Sequence, residues 1–257
     1  LDHEQVWRPN LLPQEVSTTM RVTVVSGSFP PLICGVGDYT AHLSTALARL
    51  GHEVSVITSV GAHAQGGDSG PPRFHLLPVM GSWSSAAAGR LLGALRRSRP
   101  DVISIQYPAS GYRNRLLVNV LPLLLKSAVS VPYVLTLHEF RSSHRLRKLS
   151  TLFLVSLASR IVVADESERE ALSRFYPPSV IRRTEVIFIG SNIEVSAQFE
   201  LEAPKLDLSK SEAVLSFFGL ITSKKDVETL FRAFARLVQS GYDLSLLMIG
   251  EVAFGGR

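Results

Sequence analysis

Two glycines stand in the loop after the first predicted strand. Gly35 and Gly37 lie in the segment FPPLICGVGDY, between the strand RVTVVS and a helix. Open α/β sheets bind ligands outside the carboxyl ends of their strands. A glycine there lets the backbone approach a phosphate, and the start of the helix adds partial positive charge. Thr40 replaces the third glycine of the dinucleotide fingerprint, so the loop indicates either a phosphate site or a simple tight turn, and not NAD binding.

A histidine and a glutamate directly follow another predicted strand, PYVLTL. His138 can orient or polarise a substrate hydroxyl, because imidazole titrates near neutral pH. Parallel strands would bring His138 and Glu139 to the same sheet edge as Gly35 and Gly37. We therefore expect one cleft that contains all four. The alternative is a histidine that is hydrogen-bonded to loop backbone.

Two more element ends carry side chains of interest. Gln106, Tyr107 and Pro108 stand at the end of the strand that begins at Asp101, and we expect them to line the same cleft, with a simple turn as the alternative. Lys225 stands between a later strand and the helix that follows. A lysine there can reach a diphosphate over the helix, although a solvated charge pair is the usual alternative.

The elements that position these residues alternate between strand and helix. The predicted strands are RVTVVS, Glu53–Thr58, Arg73–Val79, Asp101–Gln106, Pro132–Leu137, Arg160–Ala164 and Glu185–Ile189. The predicted helices begin near Val36, at Ala86, near Leu116, at Leu146 and at Glu166, and the last two run to Ser159 and Phe175. The spacing of Ser167 and Glu170 predicts a capping box. Repeated alternation implies parallel strands with right-handed crossovers, and so a doubly wound α/β sheet.

The chain divides into four predicted segments. These are an extension over 1–20, a Rossmann-like domain over 21–192, a linker over 193–212 and an incomplete second Rossmann-like domain over 213–257. The last segment holds two strands and one helix, too little to cover both faces of a sheet. We expect that the rest of this domain is missing from the chain.

Composition narrows the class of protein. The 257 residues are 46% hydrophobic and 19% charged, which is typical of a soluble globular protein. The net charge of +5 suggests anionic partners such as phosphates or lipid head groups. The single cysteine, Cys34, suits a reducing compartment, so we expect a cytoplasmic location. Leu116–Leu137 is long enough to span a membrane, but Pro122 and Pro132 favour a buried helix followed by a strand.

A basic cluster follows His138 and leads into the apolar run LSTLFLVSLAS. Its members are Arg141, Arg145, Arg147 and Lys148. The pattern suggests a peripheral membrane contact, with a solvated helix start as the alternative. No aromatic residues interleave with these charges, so nucleic acid is not expected as a partner. No metal-binding motif is present either, and we expect no metal.

Taken in order, several segments resemble the family 4 glycosyltransferases, which are retaining enzymes of the GT-B fold. FPPLICGVGDYTAHLSTALARLGHEVSVIT is similar to that family's opening, and LTLHEF to its histidine-bearing strand end. VIFIGSNI stands where many members carry a signature before the linker. FFGLITSKKDVETLFRAFARL resembles the start of the donor domain.

This resemblance implies that the first domain binds the acceptor and the second binds a nucleotide sugar. His138 would contact the transferring sugar, and Lys225 would neutralise the departing diphosphate without a metal. The nucleotide-diphosphate sugar is a co-substrate, and no cofactor is implied. The residues assigned to substrate are Gly35, Gly37, Asp38, Tyr107, Glu139 and Asn192, with Gly219 and Lys225 at the diphosphate.

The sequence also departs from the family pattern. Cys34 replaces a glycine of the opening loop, Leu220 replaces a diphosphate-binding arginine, and Asp226 replaces the glycine after the lysine. The family's E-x7-E carboxylates would lie beyond Arg257, so the chain as given is expected to lack donor-site residues. An active transferase and an inactive truncated chain are both left open. Two alternatives remain: a nucleotide-sugar 2-epimerase of similar architecture and a non-catalytic binding module.

Overall fold

The computed structural model describes residues 18–63, 74–108, 111–190, 211–222 and 225–251. The chain forms two compact units, Leu1–Ile193 and Glu194–Arg257. Most of the predicted extension, most of the linker, and the candidate residue Asn192 lie outside the described residues.

The first unit is built on one parallel sheet. Its strands are β1 (Arg21–Ser26), β2 (Glu53–Ser59), β3 (His75–Met80), β4 (Val102–Tyr107), β5 (Tyr133–Leu137), β6 (Arg160–Val163) and β7 (Thr184–Val186). Their order across the sheet is β3-β2-β1-β4-β5-β6-β7, and every neighbouring pair is parallel. The predicted doubly wound sheet is confirmed. The order reverses between β1 and β4, which is where such sheets open a crevice for ligands.

Helices cover both faces of this sheet. They are α1 (Gly35–Arg49), α2 (Ala88–Ser98), α3 (Leu117–Ala128), α4 (Arg145–Ser150), α5 (Leu152–Ser156), α6 (Glu166–Ser173) and α7 (Pro178–Ile181), with a 3-10 turn over Ser85–Ala87 before α2. Of the helices described, α1 packs on a cluster that contains Val24 and Val56. On the opposite face, α2, α3, α5 and α6 pack on a larger cluster around Ile105 and Leu135.

The buried side of α1 is small and polar rather than apolar. Gly37, Thr40 and Ser44 are its buried residues. The Thr40 hydroxyl lies 3.2 Å from the Ser26 hydroxyl of β1 and donates to the Val36 carbonyl at 2.6 Å. Small side chains let a helix lie close to a sheet, so α1 is fixed near the end of β1 by short polar contacts. Ala41, Leu47 and Ala48 pack beside them on the Val24 and Val56 cluster, whereas other apolar residues of α1 face away from it.

The helix predicted over Leu146–Ser159 is instead two short helices, α4 and α5, that meet at Thr151. The Asn119 side chain of α3 donates to the Ser150 carbonyl at 3.0 Å, and the buried Thr151 hydroxyl pairs with that of Tyr176 at 3.0 Å. These tertiary contacts take up the polar groups at the junction. No periodicity argument on the segment alone would find them.

The start of α6 also differs from the prediction. Its cap is Asp165, whose carboxylate accepts from the Glu168 backbone N–H at 2.9 Å. Ser167 donates to the same carboxylate, and Glu170 pairs with Arg174, so these two residues do not form a capping box. The hydrogen bonds of Asp165 hold the pKa of its carboxyl below the usual range.

The apolar stretch Leu116–Leu137 folds as α3 followed by β5, as predicted. Pro122 lies inside α3. None of the helices in the described ranges is long and apolar enough to cross a bilayer.

The second unit holds β8 (Ala213–Phe218), α8 (Val227–Gln239) and β9 (Leu244–Ile249). β8 and β9 are parallel and in register from Ala213 opposite Leu244 to Phe218 opposite Ile249. Their ends approach closely, because a Cβ on Gly250 would overlap the Gly219 carbonyl. This strand–helix–strand unit matches the elements predicted for it.

Candidate active site

The carboxyl ends of β1, β4 and β5 lie side by side and bring the predicted site residues to one edge. β1 leads into the glycine loop, and His138 follows β5 directly. The His138 backbone N–H donates to the Tyr107 carbonyl at the end of β4, at 3.2 Å. The expectation that Gly35 and His138 share a cleft is met by the geometry.

The two glycines of the loop have different surroundings. A Cβ on Gly37 would come within 3.2 Å of the Phe29 backbone, so this glycine permits the close approach of α1 to the loop before it. A Cβ on Gly35, the first residue of α1, would meet nothing within 4 Å. Cys34, the N-cap, makes no side-chain cap hydrogen bond. The first N–H groups of a helix lack intrahelical partners and favour anions, so this start suits a phosphate.

His138 is held by a buried amide. Its Nε2 lies 3.0 Å from Oε1 of Gln106, which is fully buried. The Gln106 amide nitrogen donates to the hydroxyls of Ser104 and Thr136, at 2.9 and 3.3 Å. Because the amide nitrogen is used in this way, its oxygen faces the histidine and Nε2 carries the proton. Nδ1 is then the acceptor of the ring.

Burial lowers the pKa of His138 from 6.5 to about 4. The imidazole is therefore neutral at pH 7. The edge-on contact with the Tyr39 ring, 5.1 Å between centroids, fixes the plane of the imidazole further. A neutral, oriented imidazole is suited to hydrogen bonding with a sugar hydroxyl and not to donating a proton as an acid.

An open cleft of about 600 Å³ lies between α1, the loops after β4 and β5, and the segment after β7. This volume is within the range of small-molecule sites. Its lining residues are Cys34, Gly35, Val36, Tyr39, His42, Leu43, Ala46, Pro108, His138, Glu139, Ile189 and Gly190. The side of α1 that carries Tyr39 and Leu43 thus faces the cleft, and its apolar surface is suited to packing against a ring.

Three of the predicted substrate residues line this cleft: Gly35, His138 and Glu139. Gly37 lies behind it against Phe29, and Asp38 follows on α1 without lining it. Tyr107 is placed on the other face of the sheet.

Strand alternation explains the position of Tyr107. Side chains of a strand point alternately to opposite faces. Gln106 contacts His138 and Pro108 lines the cleft, so Tyr107 joins the opposite cluster, where its hydroxyl accepts from Asn119 at 3.0 Å. The two-residue alternation of side chains along β4 was the sequence signal that places Gln106, and not Tyr107, on the cleft side of the sheet. The sequence also did not single out Tyr39 and His42 as lining residues.

The diphosphate candidates lie in the second unit. Gly219 follows β8 with φ +132°, and Lys225 is exposed just before α8, its N–H bonded to the Thr222 carbonyl at 3.0 Å. Asp226, next to it, has φ +48°, a left-handed conformation that glycine adopts most readily. Nowhere in the described ranges do three or more His, Cys, Asp or Glu side chains form a group that could hold a metal ion.

Residues 34–189 of the chain match the family described as the glycosyl transferase 4-like domain. The chain belongs to this family. The match covers the glycine loop, His138 and all the strands from β2 to β7, which is more than half of the chain. The parallel seven-stranded sheet with helices on both faces matches GT-B glycosyltransferase structures, so the predicted fold class and family are confirmed.

Comparisons with individual proteins agree with this family. The chain is 24% identical over 270 aligned residues to the glycogen synthase of Mycobacterium tuberculosis, with 90% of the chain and 62% of that protein covered. HepE of Anabaena, solved with UDP and glucose, superposes with a TM-score of 0.62 at 13% identity, covering 92% of the chain and 62% of HepE. The UDP-N-acetylglucosamine 2-epimerase of Rickettsia bellii gives 0.50 at 14%, covering 90% and 62%.

These structural likenesses show the fold alone, which transferases and epimerases share. The chain spans about three fifths of the length of the relatives it matches. The glycosyl transferase 4-like match therefore identifies the family of the first unit, and the activity of the whole protein is a separate question.

Proposed function

We propose that the protein transfers a sugar from a nucleotide-diphosphate donor to an acceptor hydroxyl, with retention of the anomeric configuration. The observation that carries the proposal is the neutral His138, held by Gln106 in a cleft that opens beside an uncapped helix start at Gly35. That arrangement offers a hydrogen-bonding imidazole for a sugar and backbone N–H groups for a phosphate. Family membership supports the same reaction.

In the proposed reaction the bond between the sugar C1 and the diphosphate oxygen breaks. A new bond forms between C1 and the acceptor oxygen on the same face. The proton of the acceptor hydroxyl passes to the departing diphosphate, so no protein base is needed. His138 hydrogen-bonds to the transferring sugar through its neutral ring, and the N–H groups at the start of α1 stabilise the developing negative charge.

The proposal gives each part of the chain a role. Residues 21–192 form the acceptor domain, in which Gly35, Glu139 and Asn192 contact substrate, with Gly37 and Asp38 shaping the helix start. Residues 213–257, after a linker over 193–212, begin the donor domain with Gly219 and Lys225. The acceptor is a sugar, a lipid-linked sugar or a small molecule.

The proposal extends to location. The single cysteine, Cys34, supports a cytoplasmic protein. Within the basic cluster, Arg145 and Arg147 support a peripheral membrane contact.

The test is turnover with a panel of nucleotide-diphosphate glucoses and neutral glycan acceptors, with product configuration read from the anomeric proton coupling. His138→Ala is expected to lower kcat by at least about a hundredfold, since it removes an oriented hydrogen bond to the reacting sugar. His75→Ala, an exposed histidine on β3, is the matched control and should match the parent.

Two results would contradict the proposed reaction, and a third would contradict the role of His138. Conversion of the donor sugar to its 2-epimer without an acceptor would identify an epimerase. Tight binding of nucleotide diphosphates by calorimetry, without turnover in a chain extended past Arg257, would identify a binding module. Near-parent activity of His138→Ala would remove His138 from the reaction.

A further inference from the structure

The outer surface of α3, α4 and α5 exposes large apolar side chains. Between 37% and 72% of each remains exposed. The set is Leu116, Val120, Leu123, Leu146, Leu149, Leu152, Phe153 and Leu157, called here the α3–α5 face. The inner surface of the same helices already supplies Leu121, Leu154 and Val155 to the core. The outer residues are therefore not required for folding of the unit.

α3 and α4 meet at the α3–α5 face. Asn119 of α3 donates to the carbonyl and the hydroxyl of Ser150 at the end of α4, which ties the two helices together. Leu116 and Leu146 line one shallow pocket of about 280 Å³. Patches of this kind on single-chain proteins mark interaction sites.

Positive charge surrounds this apolar surface. From Val102 to Ala164 the chain carries eight Lys and Arg residues but one acidic residue, Glu139. Arg115 and Arg147 line the same pocket as Leu116 and Leu146. Arg147 also donates to the Asn114 side chain at 2.6 Å, which holds its guanidinium at the pocket.

The structure divides the four basic residues of the sequence cluster into two pairs. Lys148 lies 4.8 Å from the centre of the Phe175 ring and donates to the Arg141 carbonyl at 3.0 Å. Arg141 donates to the Ser167 hydroxyl at 3.1 Å. Contacts within the first unit thus hold both side chains away from the pocket. Arg145 and Arg147 lie on either side of the exposed Leu146 in the sequence, and Asn114 holds Arg147 at the pocket.

We propose that the α3–α5 face docks on an anionic lipid bilayer. The leucines enter the boundary between head groups and acyl chains, and the pocket with Arg115 and Arg147 receives a lipid phosphate. Leucines interleaved with arginines have the composition of an interfacial surface, which gains from apolar burial and from attraction to anionic lipids. A protein partner that packed a single helix on this face would not require such an excess of positive charge.

The test is sedimentation of the full chain with vesicles of phosphatidylcholine alone or mixed equally with phosphatidylglycerol, without any sugar donor. We expect binding to the anionic vesicles, weakened by salt. The double variant Arg145→Gln, Arg147→Gln should lower the partition coefficient by about 30-fold, because the effects of removing the two surface charges multiply. Leu146→Gln with Leu149→Gln should lower it by about tenfold or more.

Two matched controls remove the same groups elsewhere on the first unit. Arg96→Gln with Arg97→Gln takes two exposed arginines from α2, and Leu50→Gln with Val60→Gln takes two exposed apolar residues. Both should bind like the parent. Equal binding to neutral vesicles, an equal loss in the α2 control, or unchanged binding of the leucine pair would overturn the docking surface. Because no donor is present, these outcomes are independent of sugar transfer.

Discussion

The low pKa of His138 predicts that the first unit loses stability in mild acid. The unfolded chain binds a proton at this histidine below about pH 6.5, whereas the folded protein resists until about pH 4. Stability attributable to His138 is therefore complete above pH 6.5 and is lost as the pH falls from 6.5 to 4. The difference between the two pKa values corresponds to up to about 3 kcal/mol.

The assay is urea unfolding at a series of pH values, compared between the parent and His138→Gln. Glutamine does not titrate and keeps a polar group beside the Gln106 amide. Trp83, which is 2% exposed and donates to the Ser59 hydroxyl at 3.0 Å, reports on the first unit by fluorescence in a Trp7→Phe background. The difference in unfolding free energy between the two proteins should change by about 2–3 kcal/mol between pH 7 and pH 4.

Other titrating groups are common to both proteins and cancel in this difference. Glu168, whose pKa burial raises, is one of them. His75→Gln changes an exposed histidine and should give a curve parallel to the parent. Parallel curves for His138→Gln would refute the reasoning, because they would show that His138 titrates alike in both states.

Two further substitutions test the parts that hold the site. Gln106→Leu removes the acceptor for His138 Nε2 and leaves two buried hydroxyls without their amide, so stability should fall by about 1–3 kcal/mol in urea unfolding. If the parent shows turnover, kcat should fall more than KM rises, and an unchanged kcat would separate Gln106 from the positioning of His138. Gly27→Ala places a Cβ onto the Gly111 carbonyl and should cost more than about 2 kcal/mol, whereas Gly61→Ser, in open space but at φ +87°, should cost about 1 kcal/mol. Equal losses at the two glycines, measured by the same unfolding assay, would contradict the close contact.

The sequence predicted the sheet well because its evidence is local. Each buried strand is a short apolar run, and alternation with helices leaves few topologies. The prediction missed the division of the helix at Thr151, because that division depends on partners that are distant in sequence. It also missed Asp165 as the cap of α6, because residue spacing cannot decide between neighbouring hydroxyl and carboxyl groups.

The candidate site was predictable where a residue follows a strand end, as His138 and Gly35 do. It was not predictable where the face of an element decides. Tyr39 falls at a helical spacing of apolar residues that usually marks a core-facing side. Gly37, Thr40 and Ser44 instead form the buried side of α1, so Tyr39 lies at the cleft. A comparison of side-chain sizes along α1, in addition to hydropathy, would have indicated which side of the helix is buried.

Asp226 has a backbone conformation that its residue type alone does not predict. The resemblance led us to expect a glycine at this position, and the aspartate is in the left-handed region, with φ +48°. Aspartate tolerates that region better than most residues do. The turn before α8 therefore forms with an aspartate in a conformation that glycine adopts most readily.

The uncharged state of His138 also affects how the cleft would select a molecule. Glu139 is the one carboxylate among the described residues that line it. The other groups are the neutral ring of His138, the His42 ring, glycine backbone and mostly apolar side chains. Long-range electrostatic attraction contributes little to recognition by such a surface. Shape complementarity and hydrogen bonds to the hydroxyl groups of the ligand therefore determine which molecule binds. Acceptor affinity should then respond weakly to ionic strength, while the affinity for a charged nucleotide diphosphate at the start of α1 should respond strongly.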